Sequence, residues 1–435
     1  MASSELPVRS FDKSSQLLER ALKRIPLGSQ TFSKSHVQFP VGAAPLYVTH
    51  GEGGRIWDVD GNAYVDLVCG LLPVLLGYCD EDVDAAVRSQ LDRGMSFSLA
   101  TELEIELAEA LAEIVPCAEM SRFGKNGSDA TSAAVRIARA VTGRDRIAVC
   151  GYHGWHDWYV GSTVRSKGVP KAVQELTHTL PFGDIDAFHA LLKTHKGEVA
   201  GIIMEPMNLS EPPAGYLAEM RDLAHAQGAL FMFDEIITGF RFALGGAQEL
   251  FGVTPDIAAY GKGMGNGMPI SAVCGRADLM AILDDIFVSG TFGGETLSLA
   301  AALAVIAKLK REPVIEHLAD FGGRLSAGVE QAIAQANLQD VIRISGHATW
   351  RLMSFSDHAT ADRHEIKTFL LTRLLQKGVL TNGSHNICYA HNDEDLDTCI
   401  AAYGYALGEL ADALTSGALR ARLGCEPVYP VFAVR

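Results

Sequence analysis

The stretch "AAYGKGMGNGMPISAV", residues 258–273, sets one lysine, Lys262, among Gly261, Gly263, Gly265 and Gly267. A solvated surface lysine needs no such clearing. The pattern is not a P-loop, which places its lysine after the last glycine and follows it with a hydroxyl residue. Nor is it a dinucleotide fingerprint, because the sixth position counted from Gly261 is Asn266. A flexible turn with an incidental lysine is one reading. The other is a lysine that a flat ligand must approach closely, beside residues without side chains.

The surrounding chain narrows the choice. Its 435 residues are 48% hydrophobic and 20% charged, the balance of an ordinary globular protein. No run of 18 or more apolar residues predicts a membrane span. The opening "MASSELPVRSFDKSSQ" lacks the apolar centre of a secretion signal. Eight cysteines occur without a C-x-x-C pair, which suits reduced, mostly buried thiols rather than a disulfide framework or zinc site. The expected location is therefore cytoplasmic. A net charge of −15 with no basic run argues against a nucleic-acid partner.

Residues 13–24 carry apolar side chains at helical spacing, and "GRIWDVDGNAYVDL" (54–67) reads as a β-hairpin turning at Asp60-Gly61-Asn62. Between about 100 and 300, short apolar runs alternate with helical patterns. The runs are "RIAVC" (146–150), "VAGIIME" (199–205), "ALFMFDEI" (229–236) and "DIAAYG" (256–261); helices fit 101–115, 129–141 and 215–228. Continuous apolar strands separated by helices predict an α/β fold, its mainly parallel central sheet covered by helices on both faces. Beyond residue 300 the pattern changes to a smaller α+β domain. The expected division is an N-terminal segment at 1–65, a large domain at 66–315 and a small domain at 316–435.

In such sheets, ligands gather beyond the carboxyl ends of the strands. "SRFGKNGSDATS" passes from a strand into a helix, so Gly127 and Ser128 offer a helix N-terminus to a phosphate. A plain cap by Ser128 or Asp129 is the competing reading. "CGYHGWHDWY" sets Tyr152 between glycines, where its ring face can meet a flat ligand. His153 and His156 lack the further ligands of a metal site, and no metal is expected. Asp234 ends a strongly apolar strand, where a carboxylate needs a cationic partner: Arg241, or a positive ligand atom such as a pyridinium nitrogen. An anchoring lysine, an acid for a ring nitrogen, a phosphate cradle and a stacking face together meet the needs of pyridoxal phosphate.

At these residues the chain resembles the class III aminotransferases of fold type I, and looks most like their glutamate-1-semialdehyde 2,1-aminomutase branch. The likeness runs through "GGRIWDVDGNAYVDL", "RFGKNGSDATSAAVRIARAVTGRD", "GYHG", "FDEIITGFR", "PDIAAYGKGMGNGMP" and "SGTFGGETLSLAAA". It implies pyridoxal 5'-phosphate as cofactor, held as an aldimine on Lys262, which would also shuttle the substrate's proton. Asp234 would meet the pyridine nitrogen, Ile236 would pack beneath the ring and Tyr152 would cover its other face. Gly127 and Ser128 would hold the phosphate with Thr291 of a neighbouring subunit, so a homodimer is implied. Glu205 and Asn208, in "MEPMN", fall at positions near the ring hydroxyl.

Two departures concern the substrate. Lys34, in "SQTFSKSH", stands where the aminomutase has an arginine for the substrate carboxylate, and lacks that residue's bidentate fork. His153 is a second candidate substrate contact. The segment "WHDWYVGSTVRSKGVP" (155–170) is shorter than the aminomutase lid. The expected reaction is therefore ping-pong transamination between a small-molecule amino donor and a keto or aldehyde acceptor. An aminomutase-like isomerase or a racemase is the alternative.

Overall fold

The computed structural model describes residues 9–429. They fall into two interleaved units. The first takes the described chain up to Cys69, Gly77–Cys79, and the chain from His317 onward; the second takes Gly70–Leu76 and Asp80–Glu316.

The first unit opens with a helix, Asp12–Leu22, followed by β1 (Val48–Glu52), β2 (Arg55–Asp58) and β3 (Ala63–Asp66). These strands form an antiparallel meander. The β2–β3 connection is the expected hairpin. Asp58 Oδ1 accepts the N–H groups of Asp60 and Asn62 at 3.0 and 2.7 Å, and Gly61 takes φ +90°, closed to most side chains.

The second unit holds a seven-stranded sheet built from β4 (Met120–Gly124), β5 (Arg146–Cys150), β6 (Thr177–Thr179), β7 (Val199–Met204), β8 (Leu230–Asp234), β9 (Ile257–Tyr260) and β10 (Ser271–Gly275). The order across the sheet is β4-β10-β9-β8-β7-β5-β6. Strands β9 to β6 run parallel, whereas β10 is antiparallel to both neighbours, so β4 points the same way as the rest. Every residue of β7, β8, β9 and β10 is buried, which is why these strands read as unbroken apolar runs rather than alternating ones.

The helix Gly127–Thr142 lies on this sheet through Ala130, Ala133, Ala134, Ile137 and Ala138, which pack with Ile147, Ile203, Met232 and Ala259. Alanines at this spacing bring the helix close to the sheet and fix where its N-terminus falls. It is capped by Asn126 with Asp129, whose Oδ2 accepts the N–H groups of Lys125 and Asn126 at 2.9 and 2.8 Å. Ser128 is thus not the cap.

The chain then returns to the first unit with β11 (Ile342–His347), β12 (Trp350–Phe355), β13 (Val379–Leu380) and β14 (Ser384–Asn386). Strands β11, β12 and β14 make an antiparallel sheet, and β13 joins β3 in parallel. The architecture is α/β in its large sheet with a smaller α+β unit, as the sequence pattern predicts. No helix among the described residues is long and apolar enough to cross a membrane.

Asp256, just before β9, ties three elements of the large unit. Its carboxylate accepts from the Phe231 N–H, His225 Nε2 and the Arg276 guanidinium at 2.8, 2.8 and 3.1 Å. Asp256→Ala leaves the buried Phe231 N–H unpaired, at a cost of about 1–3 kcal/mol. A lowered thermal midpoint for Asp256→Ala checks this; an unchanged midpoint contradicts it.

Candidate active site

Five parallel strand ends supply the candidate residues. Strand β4 leads to Gly127 and Ser128, β5 to Tyr152 and His153, β7 to Glu205, β8 to Asp234 and Ile236, and β9 to Lys262. The rule that placed ligands beyond these ends therefore selects one rim of one sheet.

Lys262 sits at φ +40°, a left-handed conformation that costs a residue bearing a Cβ about 1–3 kcal/mol. The glycines around it have a reason that the sequence did not reveal. A Cβ at Gly261 would lie 3.1 Å from Ile236, at Gly263 3.4 Å from Leu75, and at Gly265 2.9 Å from Ile270. Gly261 and Gly265 thus admit neighbouring side chains, a Cβ at Gly263 would make only ordinary contact, and Gly267, at φ +105°, is required by the turn itself. Asn266, also left-handed at φ +45°, accepts the Leu76 N–H at 2.8 Å and pins the far end of the loop.

Two partners were expected for Asp234, Arg241 or a positive ligand atom. Arg241 is fully buried but donates to the Leu72 carbonyl at 3.3 Å. The partner of Asp234 is His153, whose Nδ1 lies 2.7 Å from Asp234 Oδ2. An ionised carboxylate only accepts, so the proton resides on Nδ1. Asp234 Oδ1 accepts the Ile236 N–H at 3.1 Å. His153 was expected among substrate contacts. Its side chain is instead fully buried, edge-on to Tyr159, and its Nε2 has no hydrogen-bond partner. It positions Asp234, a role hidden in the sequence because 81 residues separate the two.

Charge at the rim is tuned by burial. Desolvation lowers the Lys262 ammonium to about 8, against the opposing pull of Glu205 and Asp234 and with a further lowering by Arg241. Lys262 retains some accessible surface, yet its charged form is poorly solvated. Glu205 moves the other way, raised to about 7 by burial and then by Asp234. Its Oε2 accepts the Tyr152 N–H at 3.3 Å, and a Cβ on Gly151, which has φ +110°, would meet that oxygen at 2.4 Å. Near neutral pH both groups thus exist with and without their proton.

Ile236 packs against Gly127, where a Cβ would fall 3.1 Å from its Cδ1, so the β4 and β8 ends meet through that missing side chain. Ser128 Oγ accepts the Trp155 N–H at 3.3 Å, and Gly154, at φ +99°, leaves room for that oxygen where a Cβ would stand 2.3 Å away. Tyr152 keeps an exposed ring, 51% accessible, edge-on to Tyr159. The rim thus joins a helix N-terminus, an open aromatic face, a fixed carboxylate and a near-neutral amine. This donor set fits pyridoxal phosphate. The orphaned His153 Nε2 and the bare Cα atoms at Gly127 and Gly154 are features that a merely solvated loop would not need.

Three further candidates have the following surroundings. Asn208 Oδ1 accepts the N–H of its own neighbour, Leu209, at 2.6 Å. Thr291 is exposed, on a shallow cleft shared with Lys125 and Asp129. Lys34 is exposed at the end of a one-turn helix, Phe32–Lys34, in the first unit.

The aminotransferase class-III family model matches residues 38–397. A 3-aminobutyryl-CoA aminotransferase from Cloacimonas acidaminovorans is 36% identical over 412 residues, covering 92% of this chain and 98% of the relative. A glutamate-1-semialdehyde 2,1-aminomutase from Roseiflexus castenholzii is also 36% identical, over 407 residues covering 87% and 93%. Among solved structures, the Sphingopyxis FumI protein in its pyridoxal-phosphate internal aldimine form superimposes with a TM-score of 0.87 at 28% identity, covering 96% of this chain and 99% of that one. With this rim at its strand ends and these relatives along nearly its whole length, the chain belongs to the class III aminotransferases, enzymes dependent on pyridoxal phosphate.

Proposed function

We propose that this protein moves an amino group between a small-molecule amino donor and a keto or aldehyde acceptor in two half-reactions. The observation that carries the reading is the near-neutral Lys262 amine facing Asp234, itself fixed by His153. Bound at this rim, pyridoxal phosphate supplies a ring that accepts the electron pair released when a substrate C–H bond breaks.

The protein's own groups then have separable tasks. Lys262 Nζ would anchor the cofactor and carry the proton from the amine-bearing carbon of the substrate to the cofactor. Asp234, oriented by His153 Nδ1–H, keeps a negative charge where the pyridine nitrogen would lie. Glu205, with its proton held near neutral pH, serves the ring hydroxyl, with Asn208 as a weaker neighbour. Gly127 and Ser128 hold the phosphate by backbone N–H groups at the helix N-terminus. Ile236 and Tyr152 bracket the ring, and Lys34 attracts an anionic substrate group as a point charge.

Transamination rather than internal amine transfer is supported by the segment after Tyr152. Trp158 and Tyr159 are buried in the core; the Trp158 indole donates to Ser132 Oγ at 2.8 Å, and the Trp158 carbonyl accepts from Thr177 Oγ1 at 2.5 Å. A segment anchored this way suits an enzyme that releases its keto product, whereas an aminomutase must retain its intermediate. The 3-aminobutyryl-CoA relative makes β-amino substrates the first to try. A homodimer with Thr291 reaching a neighbour's phosphate completes the reading, supported by exposed Phe287 and Phe292 on either side of that loop. An active, cofactor-loaded monomer in sedimentation analysis contradicts that part.

Three outcomes are expected. In the apoprotein, an amine-acylating reagent should label Lys262 increasingly as pH rises, half-maximally near 8, because only the neutral amine reacts. Lys262→Ala should lower turnover by about 10²–10⁴-fold or more, the range of a lost general base. Borohydride should fix the cofactor to residue 262 in the parent alone, and reduced cofactor on another lysine refutes the assignment.

Asp234→Asn should fold, because an amide oxygen still accepts from His153, but lose about 10²–10³-fold in rate through the missing charge. A near-normal rate reduces Asp234 to a structural partner of His153.

The reaction class is decided by mixing holoenzyme with amino donors, β-amino compounds included, without acceptor. One equivalent of free keto product per cofactor, with loss of visible absorbance, supports transamination. Processing of glutamate-1-semialdehyde alone, to 5-aminolevulinate, establishes the aminomutase instead.

A further inference from the structure

One stretch of backbone beside the Lys262 loop is unexplained by the proposed reaction. Leu71 and Leu72 follow Gly70 at φ +77° and +80°, and neither has glycine's freedom there. Such conformations persist only where the surroundings impose them, and they concentrate beside working sites. Here, within the large unit, the surroundings are the Lys262 loop itself. Leu75 lies against Gly263, where a Cβ would stand 3.4 Å from it, and the Leu76 N–H donates to Asn266 Oδ1 at 2.8 Å. The loop is left-handed in turn at Lys262 and Asn266. Two unfavourable backbones are thus closed against each other, and one of them carries the lysine.

The near end of the first is held by Arg241. Its Nη2 donates to the Leu72 carbonyl at 3.3 Å, and it is the largest completely buried side chain among the described residues. A guanidinium is costly to bury, so its place has to be built. The loop that carries it is fixed at both ends. The Glu235 carboxylate accepts the Ala247 and Gln248 N–H groups at 2.8 and 2.9 Å as well as the Thr238 hydroxyl. The Arg241 N–H donates to Thr238 O at 3.2 Å. Phe240, fully buried at φ +62°, sets its ring 5.4 Å from that of Tyr260. Gly239 admits the same tyrosine, which a Cβ would approach to 2.4 Å. Tyr260 stands two positions before Lys262, and its hydroxyl donates to Gly245 O at 2.8 Å. The chain from Asp234 to Gln248 is therefore a rigid mount for one cation.

We propose that Arg241 is a positioning residue for Lys262: through the Leu72 carbonyl it keeps segment 70–76 closed on the lysine's loop and so fixes where the amine points. This role rests on Lys262 being the cofactor's anchor. The same guanidinium brings a permanent charge near Lys262, which disfavours the ammonium and adds to the effect of burial. A lysine in its place would keep the charge, but a single ammonium lacks the planar fork of the guanidinium. Geometry and charge are thereby separable.

The test compares Arg241→Met and Arg241→Lys with the parent as full-length holoenzyme. Borohydride first establishes that the parent carries its cofactor on residue 262; reduced cofactor elsewhere removes the anchor reading itself. With that met, hydrogen–deuterium exchange should quicken over residues 70–76 in both variants, while β7 and β8 keep their protection. Turnover should fall about 10²-fold in both, the scale of a group misplaced by about 1 Å, with the cofactor's visible band retained. In the apoprotein, the pH of half-maximal Lys262 acylation should rise from about 8 in Arg241→Met, because removing a cation favours the ammonium. In Arg241→Lys it should stay near the parent's. A merely structural arginine would lower the thermal midpoint without moving turnover or that pH, and such a result overturns the proposal. So does parent-like exchange over 70–76 in both variants. Should Arg241→Met fail to fold, exchange and turnover in Arg241→Lys decide alone.

Discussion

The hydrogen bond between His153 and Asp234 is the constraint around which the rest of the rim is arranged. A carboxylate at the end of a strand buried along its whole length would be prohibitively costly without a donor. His153 supplies that donor while leaving one oxygen for the Ile236 N–H. The negative charge so retained acts on its surroundings, opposing the burial that lowers Lys262 and adding to the burial that raises Glu205. The acid–base character of the site is thus a property of the group, not of any single residue.

The sheet makes this group possible. Five parallel strands end on one side, and each contributes a short segment whose backbone is already fixed by its ladder. Precision then comes from absent side chains. Gly127 and Gly261 both leave room for Ile236, Gly151 for Glu205, and Gly154 for Ser128. A methyl group at Gly151 or Gly154 would come within 2.4 Å of a functional oxygen. The glycines are part of the site's shape as well as of its turns.

The two units combine rigidity with different devices. The large one relies on buried apolar strands and a closely approaching alanine-rich helix face. The first unit adds polar fastening to a helical core of its own, such as the reach of Arg55 to Glu394 and Asp395 at 3.0 and 2.7 Å.

Local chemistry made much of this legible in the sequence. Apolar runs of strand length marked β5, β7, β8 and β9, and Asp60-Gly61-Asn62 marked the β2–β3 turn. The types of residue at the strand ends were enough to suggest a lysine-anchored, acid-assisted ring cofactor. What the sequence could not give is pairing between distant residues. It offered Arg241 to Asp234, and the fold brings His153 to it; it offered Ser128 or Asp129 as a cap, and Asn126 takes that place together with Asp129; and it could not show that Gly261 and Gly265, beside Lys262, make room for Ile236 and Ile270. The antiparallel β10 also escaped, because a strand paired on both sides has no periodic signature of its own. Residue type and spacing record what a segment does with its neighbours in the chain. Which buried charge meets which donor is decided only when the sheet order is set, since desolvation and hydrogen bonding act across space.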